Sequence, residues 1–168
     1  MAATIQIHEM SAIDTGADKT SGTVRFKDAD DATVNTSNPL VIPESGTTYS
    51  YCKKLRAYME APPDTQVSDL AWYTDGSNTF GTGISVNVKN IGVTFGTFYK
   101  TAMSGGADLF GKTSGSPLDG DATDTGPFVP ADDDSYIGDV IELQMAVEDT
   151  ASSGTLSAET LTLTWNEI

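Results

Sequence analysis

Residues 140–148 read Val-Ile-Glu-Leu-Gln-Met-Ala-Val-Glu, and this stretch decides the fold class. Every second residue from Ile141 to Val147 is large and apolar, and the residues between them are polar or small. Residues 159–165, Glu-Thr-Leu-Thr-Leu-Thr-Trp, repeat the pattern. Alternation with a period of two predicts β-strands with one buried face, as in antiparallel sheets.

The same alternation recurs along the chain and predicts eight main strands. The other six are expected at residues 4–8, 23–27, 48–60, 67–75, 84–88 and 92–100, the last bent at Gly96. Residues 40–42 could add a short edge strand that ends at Pro43. No segment has a convincing helical period, and wide connections disfavour an up-and-down barrel. We therefore predict an all-β fold, an antiparallel eight-stranded β-sandwich of the jelly-roll type.

The segment 102–138 differs from the rest because it has no alternation and is rich in Gly and Asp. A loop of this length in a compact domain is usually functional or mobile. It also carries apolar residues that could pin it to the body of the protein or to a neighbouring subunit: Leu109, Phe110, Leu118, Phe128, Val129 and Tyr136. The strands on both sides of this loop are needed for one sandwich, so residues 1–168 are expected to form a single domain.

The chain is strongly acidic, with 24 Asp and Glu against 9 Lys and Arg and a formal net charge of −15. Such a surface repels phosphate backbones and anionic lipids, so we expect neither a nucleic-acid partner nor a membrane partner. It suits a positively charged protein or a cation, although solubility alone also accounts for it.

Cys52 is the only cysteine, so the fold cannot depend on an intrachain disulfide. The N-terminus has no basic region followed by an apolar core, and no run approaches the length of a membrane-spanning helix. With its starting Met, the chain is expected to be a full gene product made in the cytoplasm.

Residues for nucleophilic catalysis are few. His8 is the only histidine and is expected to be an exposed strand residue. Cys52 shares a strand face with Lys54 and Arg56, which could lower its pKa, although a packed cysteine is the simpler interpretation. Glu142 and Glu148 point away from the predicted core, but nothing marks them as a catalytic pair. We expect that the protein is not an enzyme.

Calcium is the one metal for which the sequence offers candidate ligands. Asp119, Asp121 and Asp124 lie in the turn Asp-Gly-Asp-Ala-Thr-Asp-Thr-Gly, which places hard oxygens close together. The spacing does not match an EF-hand loop. Residues 132–134 and 28–31 are similar acidic turns, and solvated loops are the alternative for all three. No other cofactor is expected.

Lys53, Lys54 and Arg56 supply a third of the positive charge and lie on one predicted strand. They could meet an acidic loop of a neighbouring subunit. Pairing with a neighbouring strand of the same chain is the other alternative.

The stretch Tyr-Ser-Tyr-Cys-Lys-Lys-Leu-Arg-Ala-Tyr at residues 49–58, followed by Leu-Ala-Trp-Tyr-Thr-Asp-Gly at residues 70–76, resembles jelly-roll virion structural proteins of tailed bacteriophages. The resemblance implies a protein that decorates or cements the outer surface of a capsid, with the major capsid protein as partner. It also implies a homo-oligomer, often a trimer, on the virion surface after synthesis in the host cytoplasm. No catalytic residue is carried over.

Two other functions stay open at this point. A carbohydrate- or receptor-binding β-sandwich would use aromatic residues near the tip of a hairpin, such as Trp72, Tyr73 or Phe80, to stack on sugars. A glycosidase-like jelly roll would require two carboxylates that face each other across a cleft.

Overall fold

The computed structural model describes residues 2–168, and its regular structure is almost entirely antiparallel β. The strands are β1 (Thr4–Ala12), β2 (Thr15–Asp18), β3 (Thr47–Tyr49), β4 (Lys53–Ala61), β5 (Val67–Tyr73), β6 (Ile84–Asn90), β7 (Ala107–Asp108), β8 (Leu118–Asp119), β9 (Ser135–Glu148) and β10 (Thr162–Glu167). Two short 3-10 helices, Leu109–Gly111 and Pro130–Asp132, are the only helices among the described residues.

The strands form two sheets. The large sheet has the order β2-β1-β4-β9-β6-β7, and β3 also pairs with β9, whereas the small sheet has the order β10-β5-β8. Every pair of strands is antiparallel. The predicted all-β antiparallel sandwich is confirmed, with ten strands in place of the eight expected.

One hydrophobic core lies between the sheets. The large sheet contributes Leu55, Met59 and Ile141, and the small sheet contributes Leu70 and Trp72, all at most 2% exposed. Each large apolar side chain buried in this way stabilises the fold by roughly 1.5–3 kcal/mol. The core therefore joins the two sheets.

Strand β9 organises the large sheet because it pairs with β4 and β3 along one edge and with β6 along the other. Between the pairs Leu55–Ile141 and Ala57–Ile137, β9 has two more residues than β4, which makes a bulge. Gly138 lies in the bulge with a φ of 65°. A Cβ there would lie 2.5 Å from Leu70 Cδ1, so this site requires glycine.

Two predicted strands are wrong. Residues 23–27 and 92–100 have alternating sequences, but neither forms a strand, and residues 40–42 do not form one either. In the first segment Val24 and Phe26 pack against the core, while the carbonyl of Lys27 accepts from Tyr51 N outside any ladder. Residues 92–100 cross a sheet face, where polar side chains take the place of a neighbouring strand. Residues 23–27 thus alternate in partial burial without a ladder, whereas burial does not alternate along 92–100, where Val93 is 44% exposed.

The predicted strand 48–60 exists but is divided into β3 and β4. The interruption lies at Ser50–Cys52, where Ser50 N donates to Met145 O and Cys52 N donates to Tyr99 O. Both halves pair with β9. At the break between β3 and β4, the backbone of Cys52 therefore pairs with Tyr99, which belongs to a different segment of the chain.

The long segment 102–138 is attached to the body of the protein. It supplies β7 and β8, and its last residues begin β9. Leu109, Phe110 and Phe128 are buried in the core, whereas Val129 is 38% exposed. Leu118 packs against the core, and Tyr136 contacts His8 and Tyr58, so attachment to the chain's own body is confirmed for five of the six apolar residues.

Candidate functional site

The face of the large sheet that is turned away from the small sheet is called the outer face, and it carries five buried polar residues: His8, Lys54, Arg56, Glu142 and Gln144. Along β4, Leu55, Ala57 and Met59 enter the core, so the residues between them point to the outer face. This alternation places Lys54 and Arg56 in neighbouring positions on the outer face.

Lys53 and Arg56 are buried and paired within the chain. Lys53 Nζ lies 2.9 Å from Glu9 Oε1. Arg56 donates from Nε to Gly138 O at 2.8 Å and from Nη2 to Asp124 Oδ2 at 3.1 Å. The pairing of β4 charges inside the chain is therefore the alternative that is confirmed.

Lys54 is covered by residues 92–101, which cross the outer face and are called the strap. Its ammonium is fully buried and donates to the carbonyl oxygens of Gly96 and Thr97. The same atom lies 4.5 Å and 4.7 Å from the ring centroids of Phe95 and Phe98. Carbonyl and cation–π contacts replace the water that the charge has lost.

Glu142 of β9 is the counter-ion beneath the strap. Its carboxylate lies 3.7 Å from Lys54 Nζ and 3.1 Å from Lys89 Nζ. Tyr99 OH donates to it at 2.7 Å, and burial together with this carboxylate raises the pKa of Tyr99. A cavity of about 290 Å³ lies at this network. Glu142 is thus buried and paired within the chain, whereas Glu148 is exposed.

Cys52 lies at the edge of the same network and is 1% exposed. Burial raises the pKa of its thiol to about 11, although the nearby Lys54 and the Tyr99 N–H, 3.3 Å from Sγ, act in the opposite direction. The thiol is therefore protonated at neutral pH. A reactive thiolate activated by Lys54 and Arg56 is contradicted, and the packed-cysteine alternative is confirmed.

An aromatic cluster lies further along the outer face. His8 stacks on Tyr58 with ring centroids 4.5 Å apart, and Tyr136 meets both rings edge to face. His8 Nε2 is 2.8 Å from Gln6 Oε1, and Nδ1 is 3.1 Å from Tyr136 OH. His8 is only 8% exposed, so the expectation of an exposed histidine is wrong. Burial lowers its pKa, against the opposing effect of nearby carboxylates.

Carboxylates surround this aromatic cluster. Asp18 and Glu60 act on His8, Asp14 acts on Tyr136, and Asp134 accepts a hydrogen bond from Tyr58 OH. That hydrogen bond and burial raise the pKa of Tyr58 to about 12. We call the set of His8, Tyr58, Tyr136, Asp14, Asp18, Glu60 and Asp134 the aromatic–acidic patch.

The predicted calcium ligands lie at two different places. Asp119 and Asp121 line an open polar groove of about 460 Å³, together with Asp69. Burial and a hydrogen bond to Asp119 raise the pKa of Asp121 to about 6. Asp124 is paired with Arg56 at 3.1 Å.

Across residues 2–168, no group of three or more His, Cys, Asp or Glu side chains is arranged to hold a metal ion. The structure therefore does not bring Asp119, Asp121 and Asp124 together as a ligand set. Asp124 is held by an arginine, and such a pair competes with a cation for the same oxygens.

The other acidic turns have structural contacts. Asp31 pairs with the buried ammonium of Lys27 at 2.7 Å, and this hydrogen bond lowers the pKa of the Asp31 carboxyl. Asp132 accepts from Val129 N at 2.7 Å, which closes the second 3-10 helix. Asp31 and Asp132 in these turns thus already have partners within the chain.

The aromatic residues proposed for sugar stacking are not aligned on an open surface. Trp72 is 1% exposed and lies in the core, because it points from β5 towards the large sheet. Phe80 is partly buried and meets Phe110 edge to face with centroids 5.8 Å apart. Tyr73 is half-buried. The prediction that Trp72 stacks on sugars is therefore wrong.

The fold divides the charges unevenly between interior and surface. Of the 9 basic residues, Lys27, Lys53, Lys54 and Arg56 are buried, whereas of the 24 acidic residues only Glu9, Asp139 and Glu142 are. Five basic and 21 acidic side chains therefore remain at least partly exposed. The ratio of acidic to basic side chains is therefore higher at the surface than in the whole chain.

Comparison with known proteins adds no relative. No protein-family model matches the chain, and the curated proteins and solved structures contain no significant match. Separately, the described part of the chain contains no helix long and apolar enough to cross a membrane.

Proposed function

We propose that the chain is a structural binding protein that decorates or cements the outer surface of a virion capsid. The observation that carries the proposal is the division of charge, with 21 acidic and five basic side chains left at the surface. Such a surface keeps free copies apart and attracts a partner with positive charge. A capsid is proposed as the assembly because residues 49–58 and 70–76 resemble jelly-roll virion structural proteins of tailed bacteriophages.

The internal contacts agree with a structural role. Cys52 is buried and protonated, His8 is packed between aromatic rings, and Lys54 and Glu142 bind the strap to the sheet. These groups stabilise one conformation of the outer face. A protein that reinforces a shell needs a rigid surface of this kind, because binding then requires little ordering.

The proposal is tested by locating the native chain. Nuclease-resistant particles from the source culture are separated on a density gradient, and this polypeptide is quantified by mass spectrometry. We expect it to band with the particles in a fixed ratio to the major shell protein, and to leave them when the salt concentration is raised. A chain that stays in the soluble fraction refutes the proposal.

The oligomeric state is part of the same proposal. A trimer at a symmetry axis of the shell is expected, and native mass spectrometry of the particle-released protein measures it. Because acidic surfaces repel one another, the trimer should be more stable at high salt than at low salt.

A carbohydrate- or receptor-binding module is the second candidate. The polar groove beside Asp119 and Asp121 favours it, because Gln66, Ser68 and Thr125 also line the groove and can bind hydroxyl groups. A glycan array tests this candidate. Saturable binding that is lost in Asp121→Asn would support it over attachment to a shell.

A further inference from the structure

The aromatic–acidic patch contains rings in the geometry that attracts a cation. The centroids of Tyr58 and Tyr136 are 5.0 Å apart with the ring planes at 65°, and both side chains are half-buried. The guanidinium of Arg56 already lies 5.9 Å from the Tyr136 centroid on the protein side. A tyrosine ring attracts a cation placed over its face within about 6 Å.

The charges around these rings are almost entirely negative. Asp14, Asp18, Glu60 and Asp134 are all exposed, and the Asp14 side chain is 78% exposed. Arg56 Nη1 lies 4.0 Å from Asp14 Oδ1, but Arg56 is buried and is also bonded to Gly138 and Asp124, so it offsets only part of the charge of the rim. Lys19 also acts on Asp18, but its ammonium lies 3.6 Å from Glu9. The patch therefore carries more exposed carboxylates than the cations beside it balance.

We propose that the aromatic–acidic patch binds an arginine-rich segment of a partner protein, and this inference rests on the proposed attachment to a larger assembly. A guanidinium stacks on the exposed part of the Tyr58 ring and donates to the carboxylates of Asp14, Glu60 and Asp134. Arginine fits better than lysine because its planar group combines stacking with paired hydrogen bonds to carboxylates.

The test measures binding of a synthetic peptide of alternating Arg and Gly to the full chain by titration calorimetry at about 150 mM salt, where remote charges are screened. Asp14→Asn/Glu60→Gln removes two charges of the patch and is expected to weaken binding about tenfold. Tyr58→Leu keeps the charge but removes the ring, and an approximately fivefold loss is expected. A peptide of alternating Lys and Gly should bind several-fold more weakly than the Arg peptide.

The matched control is Asp30→Asn/Glu44→Gln, which removes two exposed carboxylates from the connection between β2 and β3. We expect less than about a twofold loss, since these charges lie outside the patch. Equal losses in the two double variants would show general attraction to an acidic surface and overturn the proposal. Absence of binding to the unmodified chain would overturn it as well.

The charge variants keep the test valid if Tyr58→Leu does not fold, which far-ultraviolet circular dichroism reveals. The peptide measurement is made on isolated protein, so it does not depend on particles. A chain that bands with particles but does not bind the peptide refutes the patch alone. A chain that binds the peptide at the patch but stays soluble refutes the capsid proposal alone.

Discussion

Removal of the Lys54 ammonium should destabilise the protein because it leaves polar groups unpaired beneath the strap. Lys54→Met keeps a long side chain but removes the charge. Glu142, which is 2% exposed, then retains Lys89 and Tyr99 as its strong partners, besides the weakly donating thiol of Cys52. The carbonyl of Thr97, 3.1 Å from Nζ, loses its donor.

The magnitude follows from these contacts. Breaking a buried ion pair costs about 3–5 kcal/mol, and a loss of about 3 kcal/mol is expected for Lys54→Met because Glu142 keeps Lys89 and Tyr99 as partners. Glu142→Met leaves the ammonium of Lys54 buried without a carboxylate, so about 4 kcal/mol is expected. The double variant replaces the pair with apolar side chains and should lose at least about 2 kcal/mol less than the sum of the single losses.

Urea unfolding followed by tryptophan fluorescence measures these losses, and thermal unfolding checks them. For a chain of this size, 3 kcal/mol corresponds to a fall of about 6–12 °C in Tm. Lys100→Met is the control because Lys100 pairs with Asp28 where the side chains are 38% and 35% exposed. An exposed pair of this kind contributes about 1 kcal/mol or less.

If Lys54→Met loses no more stability than Lys100→Met, the pair with Glu142 is not desolvated as its burial indicates. If the double variant loses the full sum, the two residues act independently, and the strap is not held through their interaction.

Two further predictions follow from the other buried groups. Burial raises the pKa of the Cys52 thiol to about 11. At pH 8, the thiol should therefore react with a thiol reagent about a hundredfold more slowly in the native chain than in urea. Comparable rates would contradict its burial. The pKa of His8 is lowered below 6.5 by burial, so the unfolded chain binds more protons near that pH and stability should fall as the pH drops below about 6.5. Urea unfolding of the unmodified chain and of His8→Gln at about pH 7.5 and 5.5 checks this; equal losses in the two proteins would contradict it.

The class of fold could be predicted from the sequence because strand alternation is a local property. Residues 140–148 and 67–75 show which side chains face the core, and the period of two leaves no helical alternative. The alternation of β4 likewise placed Lys54 and Arg56 on the face opposite Leu55. The same signal failed at residues 92–100, because an alternating sequence does not specify the hydrogen-bond partner of the backbone, and side chains of Lys54 and Cys52 take that role there.

The candidate site was accessible only in part. His8 and Tyr58 lie on neighbouring strands, but their stacking depends on the register of β1 against β4, which the sequence does not specify. Tyr136 falls in the segment predicted as a loop, and no sequence signal placed it beside them. Asp119, Asp121 and Asp124 are close in sequence, but Asp124 forms an ion pair with Arg56 and does not join the other two.

The sequence by itself determined that the chain forms antiparallel sheets with one apolar face each and carries a large excess of negative charge. Only the tertiary structure decided where that charge lies. Pairing of β4 with β1 and β9 encloses Lys53, Lys54 and Arg56, because each finds a carboxylate or carbonyl from a distant part of the chain. Burial of these cations is favourable only with those partners present, and the surface therefore remains acidic.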